Sequence, residues 1–177
     1  EDIATVDNHR IKVFDDISKT RQLYFRPVFA EYYSDAFKNI NVQYSIGAGV
    51  GYQLIDKSQT EWAVTAGLAY QETRFDSVEA GENQTVSTPA LVVSTSYETG
   101  LTKRIDFTGY YSFKLLNEAS GQYTHHAVAT FETKLTSWLD LDISLVWDHI
   151  QKPTANADGT LPKPDDYKLM FTLGVEY

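Results

Sequence analysis

The chain has no cysteine among its 177 residues, which excludes disulfides and thiolate metal ligands. Basic residues are scarce: 15 Lys and Arg face 24 Asp and Glu, for a net charge of -9. That balance excludes nucleic acid as an expected partner, since phosphate binding needs clustered Lys and Arg. No run approaches ~18 consecutive apolar residues, so a helical membrane span is not expected. No glycine-rich phosphate loop occurs, and Asn83-Gln84-Thr85 is not followed by a lysine-threonine pair. Neither a cofactor nor a metal is expected. The chain starts at Glu1 with no basic segment and apolar core, so any signal peptide is expected to have been removed. Its length suits one domain spanning 1–177.

What the chain does have is aromatic residues, 14% of the total, with 12 Tyr and 9 Phe. It also has alternation. In Asn41–Leu54 every even position is apolar or aromatic, and every odd one is Gly, Ser, Asn or Gln. Successive strand residues point to opposite faces, so this segment has one greasy face and one small, polar face. The run is longer than the ~5–6 residues usual in soluble sheets and reaches the ~9–11 of a tilted membrane-crossing strand. Such barrels escape averaged hydropathy, here -0.33, because half of each strand is polar.

The same reading gives nine strands: His9–Ile17, Gln22–Tyr33, Ile40–Leu54, Glu61–Phe75, Thr88–Glu98, Arg104–Leu116, Tyr123–Leu135, Leu139–Ile150 and Tyr167–Tyr177. No helical period is evident. Short turns fall at Ser18–Arg21, Asp56–Thr60, Thr99–Lys103 and Thr136–Trp138. Longer polar loops fall between them, at Ser34–Asn39, Asp76–Ser87, Asn117–Gln122 and Gln151–Asp166. Sorting of loops onto two ends by length is the habit of outer-membrane barrels, with short periplasmic turns and long extracellular loops. The expected fold is all-β, an antiparallel up-and-down transmembrane barrel in the bacterial outer membrane. A soluble ligand-binding barrel of lipocalin type is the alternative.

Facing follows from the alternation. Tyr44, Ile46, Val50, Trp62, Leu68, Phe107, Phe113, Leu141, Leu145, Phe171 and Leu173 are expected toward lipid. Gln43, Ser45, Gly47, Asp106, Lys114, Glu132, Asp142 and Lys168 are expected toward the lumen. Nine strands with a periplasmic C-terminus leave Glu1 outside, whereas bacterial single-chain barrels have even strand numbers and both ends periplasmic. At least one further strand before Glu1 is therefore expected, because an unpaired edge in lipid leaves amide groups without partners.

The block Tyr44-Ser45-Ile46-Gly47-Ala48-Gly49-Val50-Gly51-Tyr52-Gln53-Leu54, followed by Ala66–Tyr70 and Glu72–Phe75, resembles the YdiY-like salt-induced outer-membrane proteins. Their domain is the domain of unknown function 481. The tyrosine-rich Phe29–Phe37 and the closing Leu173–Tyr177 are also similar to that family. The resemblance runs from about Arg10 to the end. It implies an outer-membrane barrel with about three more N-terminal strands, about 12 in total, and no established activity. Outer-membrane lipid, lipopolysaccharide and the barrel assembly machinery are the implied partners, with other envelope proteins beside them. Phe171, Leu173, Val175 and Tyr177 suit an assembly signal, an alternating last strand closing on an aromatic. Gly174 departs from the commoner form, whose glycine stands five residues before the end.

Chemistry-bearing residues are sparse. His125 and His126 are adjacent on a strand and face opposite ways, so they cannot chelate one ion together. A lipid A deacylase would need Ser two positions beyond its His, and Ala127 and Val128 supply none. An omptin-like protease would need paired aspartates and an Asp-His couple, for which Asp148-His149 is the one hint. Inward Asp106, Lys114, Glu132, Lys134, Asp140, Asp142, Asp148, Lys168 and Glu176 suit a salt-bridge lattice, an ion path or an acid-base site. The loop acids Asp76, Glu79, Glu82, Asp158, Asp165 and Asp166 match no calcium-loop spacing and read as solvated, although bridging of lipopolysaccharide through divalent cations is conceivable. A non-enzymatic role is expected: structural, stress-related or permeable to small solutes, with an outer-membrane enzyme bearing a rim active site as the alternative.

Overall fold

The computed structural model describes residues 8–175. Within them nine strands follow one another in a single antiparallel sheet, each bonded to the next. They are β1 (Asn8–Ser18), β2 (Leu23–Asp35), β3 (Ile40–Lys57), β4 (Thr60–Phe75), β5 (Thr85–Gly100), β6 (Ile105–Leu115), β7 (Tyr123–Lys134), β8 (Leu139–Ile150) and β9 (Asp165–Val175). The sheet curls into a half-barrel. All nine sequence-derived strands are present, with ends displaced by a few residues. β5 starts three residues early because Thr85-Val86-Ser87 pair with Arg74-Thr73-Glu72. The ladder recruits residues whose composition reads as loop. Two single 3-10 turns, Ala36–Lys38 and Glu118–Ser120, lie in the longer loops. Tyr177 and Glu176 lie outside the described residues.

Alternation decides which face each side chain takes. Tyr44, Ile46, Val50, Trp62, Leu68, Leu145, Phe171 and Leu173 are exposed on the convex face. By register Phe107, Phe113 and Leu141 share that face, as does Val175, the end of β9. Gln43, Ser45, Gly47, Asp106, Lys114, Glu132, Asp142 and Lys168 take the concave face. That face is more apolar than the sequence reading suggests. Phe29, Ala69, Ala90, Val92 and Leu116 form one buried cluster, and Tyr33, Ile40 and Phe75 form another.

Glycine makes this possible. A Cβ at Gly47 would lie 2.5 Å from Phe29 Cζ, and one at Gly51 would lie 2.0 Å from Tyr24 Cζ. The glycine stripe of β3 is thus the floor on which two aromatic rings of β2 lie. β2 reaches the right phase through a bulge: Arg26 pairs with Gly49 but Phe29 with Gly47, leaving Pro27 and Val28 opposite Ala48 alone. Proline suits such a position, since it donates no ladder hydrogen bond.

β1 and β9 do not pair with each other among the described residues. Alternating directions make them parallel. The concave face is bridged instead by side chains from opposite parts of the sheet.

Candidate functional site

The bridging groups sit in the half of the barrel nearest the long loops. Arg10 of β1 is placed by its register with Tyr33, over whose ring its guanidinium lies at 4.2 Å. From there it donates through Nη1 to Glu31 Oε1 at 3.1 Å and through Nη2 to Asp148 Oδ1 at 2.8 Å. Lys114 of β6 donates to the same Glu31 oxygen at 2.8 Å. His126 Nδ1 of β7 lies 2.8 Å from Asp148 Oδ1, and Lys168 of β9 lies 3.5 Å from Asp148 Oδ2. Two carboxylates thus gather Arg10 of β1, Lys114 of β6, His126 of β7 and Lys168 of β9. The Glu31, Lys114 and Asp148 side chains are each only 8% exposed. A charge so buried is stable only when paired, and here every one is.

Beside this network lies a chamber of about 210 Å³, lined among others by Arg10, Lys12, Tyr110, Ser112, Lys114 and His126. Lys12 donates to the Tyr110 hydroxyl and lies 4.7 Å from the centre of that ring. The loops at this end are tied together. Asn39, in left-handed conformation, donates to Ser77 O at 2.8 Å and accepts from Ser77 N at 3.0 Å, with Thr154 O and Ala155 O also in reach. Lys38, 3% exposed, donates to Pro164 O at 2.9 Å. Burial holds its ammonium below the usual lysine range, against the opposing pull of Asp166, Asp148 and Asp35. Asp35 caps the turn, accepting from Phe37 N and Lys38 N. Three loops are thereby tied to one another.

Among the described residues the arrangement is one of ion pairs and hydrogen bonds between charged side chains. His126 is oriented by Asp148 as a catalytic histidine would be, yet among the described residues no Ser or Thr hydroxyl bonds to its ring. Asp148 and His149 diverge, Asp148 inward to Arg10 and His149 outward to Asp165 at 2.9 Å. His125 and His126 diverge likewise, with His125 stacked on Trp147 outside. Of the five lumen candidates, Lys114 and Lys168 belong to the network. Asp106, Glu132 and Asp142 do not. They lie at the opposite end of the barrel, in direct cross-strand register on β6, β7 and β8. Among the described residues Asp142 Oδ1 is buried without a hydrogen-bond partner. Among the described residues no group of three or more His, Asp or Glu could hold a metal ion. In the loops, hydrogen bonds from Thr160 hold the Asp158 carboxyl below the usual carboxylate range.

Arg10, Lys12, Glu31 and Tyr110 are site residues that the sequence reading left out. Their signal is faint but present: Arg10 and Lys12 alternate with Ile11 and Val13, and Glu31 stands between Phe29 and Tyr33 on one face.

The convex face carries two aromatic belts. Near the long loops, Phe113, Tyr123, His125, Trp147, His149 and Tyr167 form a continuous chain of ring contacts, while Tyr32 and Tyr44 meet at 5.5 Å. Near the short turns, Trp62, Tyr97, Phe107 and Phe131 form a second chain. Tyr44 to Tyr52, Trp62 to Tyr70 and Tyr123 to Phe131 repeat one spacing of eight residues, ~26 Å along a strand. Between the belts, the outward positions of β2 to β9 hold no Asp, Glu, Lys or Arg.

Comparison with curated proteins finds no match to this chain. The family model described as protein of unknown function, DUF481, matches residues 3–177, and the chain belongs to that family.

Proposed function

We propose that this half-barrel is the membrane-spanning body of a bacterial outer-membrane β-barrel with a structural, non-enzymatic role. The observation that carries the reading is the pair of aromatic belts bounding an uncharged outer band. At a strand tilt of about 40°, ~26 Å along a strand becomes ~20 Å of height, close to the ~25 Å apolar band of such barrels. A soluble barrel has no reason to expose Leu68 at 71%, Phe171 at 66% and Leu173 at 66% together. Outer-membrane lipid and lipopolysaccharide are the proposed surroundings, and the barrel assembly machinery the proposed route of insertion. Phe171, Leu173 and Val175 serve as its alternating signal.

The parallel edges β1 and β9 bear on closure. An antiparallel ring needs an odd number of further strands between them, and three would make a barrel of 12. The buried ion network and the tied loops favour a structural role over solute flow at the long-loop end. In a Gram-negative host the protein should fractionate with the outer membrane, and purified protein should stay folded only in detergent or lipid vesicles. A monomer that stays folded in plain buffer excludes this reading. Vesicles carrying the protein should resist swelling in small sugars; rapid swelling would replace the structural role with permeation.

A further inference from the structure

We infer that this chamber is a binding site for a small oxyanion, of the phosphate, sulfate or carboxylate class, received by Lys12. Three fixed cations, Arg10, Lys12 and Lys114, line the chamber against two carboxylates, Glu31 and Asp148. The surplus is one positive charge, inside a chain whose net charge is -9. Both carboxylates are already engaged. Glu31 Oε1 takes Arg10 and Lys114, and Asp148 takes Arg10, His126 and Lys168.

Lys12 is what remains. Among the described residues no carboxylate lies within ion-pair distance of its ammonium, whose partner is the neutral Tyr110 hydroxyl. An ammonium has three donors and no acceptor, so donors are left over on Lys12. The Tyr110 hydroxyl, accepting from Lys12, keeps its own proton to give. The space, about 210 Å³, equals roughly seven waters' share of liquid volume, enough for a tetrahedral oxyanion and its first waters. A charge-assisted hydrogen bond beside the partly buried Arg10 and Lys114 supplies affinity that a lone surface lysine does not. The site lies inside the sheet, so the inference stands or falls separately from the membrane reading.

Protein folded in phospholipid-free maltoside micelles is titrated with inorganic phosphate and with sulfate at constant ionic strength, by calorimetry. One saturable site per chain is expected. Lys12→Met should weaken it at least about tenfold, the worth of one charge-assisted hydrogen bond. Lys12→Arg should stay within about threefold of the wild type, about 0.65 kcal/mol. Lys103→Met, in a turn at the far end, should leave binding unchanged. Circular dichroism confirms that each variant is folded; if Lys12→Met fails to fold, Lys12→Gln takes its place. Absence of saturable heat in the wild type overturns the inference. So does a Lys12 variant that binds as the wild type does, and so does phosphate binding that requires added phospholipid.

Discussion

Arg10 Nη2 and Asp148 Oδ1, 2.8 Å apart, join strands β1 and β8 across 138 residues of sequence. No ladder hydrogen bond links the two halves of the sheet there. The curl of the half-barrel is therefore held at this point by side-chain charge. Asp148 is the pivot, because Arg10, His126 and Lys168 all converge on it.

Replacing Asp148 by Asn would leave Arg10 with Glu31 and Lys168 with Asp166 as their carboxylate partners among the described residues. Removing one member of a buried ion pair costs about 3–5 kcal/mol, most of it the burial of the orphaned charge. Because both cations keep one carboxylate, Asp148→Asn is expected to cost less than that, about 1.5–3 kcal/mol, in urea unfolding of the detergent-folded protein. A double variant, Asp148→Asn with Arg10→Met, should recover part of the loss, since the under-paired cation is gone while Glu31 keeps Lys114. A single variant as stable as the wild type would show that the network does not hold the curl.

The outer band makes a second, independent claim. Leu68 stands at its middle, 71% exposed, with Ile46 and Leu91 among its neighbours on the same face. Leu68→Arg should cost about 2–4 kcal/mol in folding into lipid vesicles, the penalty of a cation at bilayer mid-height. Leu101→Arg, in a turn, should cost little. Equal and small costs for the two would place no lipid at mid-height on this face.

How much of this was legible in the sequence depends on the range of the interaction. Strands such as Leu139–Ile150 are written in local alternation, and the structure keeps those ends unchanged. The facing of Lys114 and Lys168 follows from the same period of two. The network does not, because Glu31 and Lys114 meet across the curled sheet, 83 residues apart, and no local pattern encodes that meeting. The glycines of β3 were legible as a stripe but not as a floor. Their purpose depends on Tyr24 and Phe29, whose phase is set by a bulge at Pro27 that alternation alone misplaces. His126 was set aside because its neighbours in sequence offer no nucleophile, whereas its partner, Asp148, comes from the next strand.

That floor yields a third expectation. A Cβ at Gly51 would fall 2.0 Å from Tyr24 Cζ, so Gly51→Ala must displace the ring and its hydrogen bond to Thr65. Overpacking of this kind costs about 1–3 kcal/mol. In a Tyr24→Ala background the same substitution should cost almost nothing, since the ring it strikes is absent. A double-mutant cycle in urea tests this, and additive losses would show that Tyr24 does not lie on Gly51.

At the opposite end of the barrel a stabilising substitution is expected. Glu132 stands in direct register between Asp106 and Asp142 on the concave face. Like charges directly opposite one another on a sheet are destabilising, by about 0.2–1 kcal/mol for each pair. Asp142 adds a buried oxygen with no hydrogen-bond partner, which a carboxylate, an acceptor only, cannot repair by itself. Asparagine has nearly the same shape, removes one negative charge and brings two N–H donors beside the Glu132 carboxylate opposite it. Asp142→Asn is thus expected to raise stability by about 0.5–1 kcal/mol in urea unfolding, from one relieved pair and one new hydrogen bond. The gain should shrink as salt rises, because part of it is screened repulsion. A loss of stability at low salt would mean that Asp142 is held by a partner its present surroundings do not reveal, and the acidic end would then have to be read as a built site rather than a tolerated repulsion.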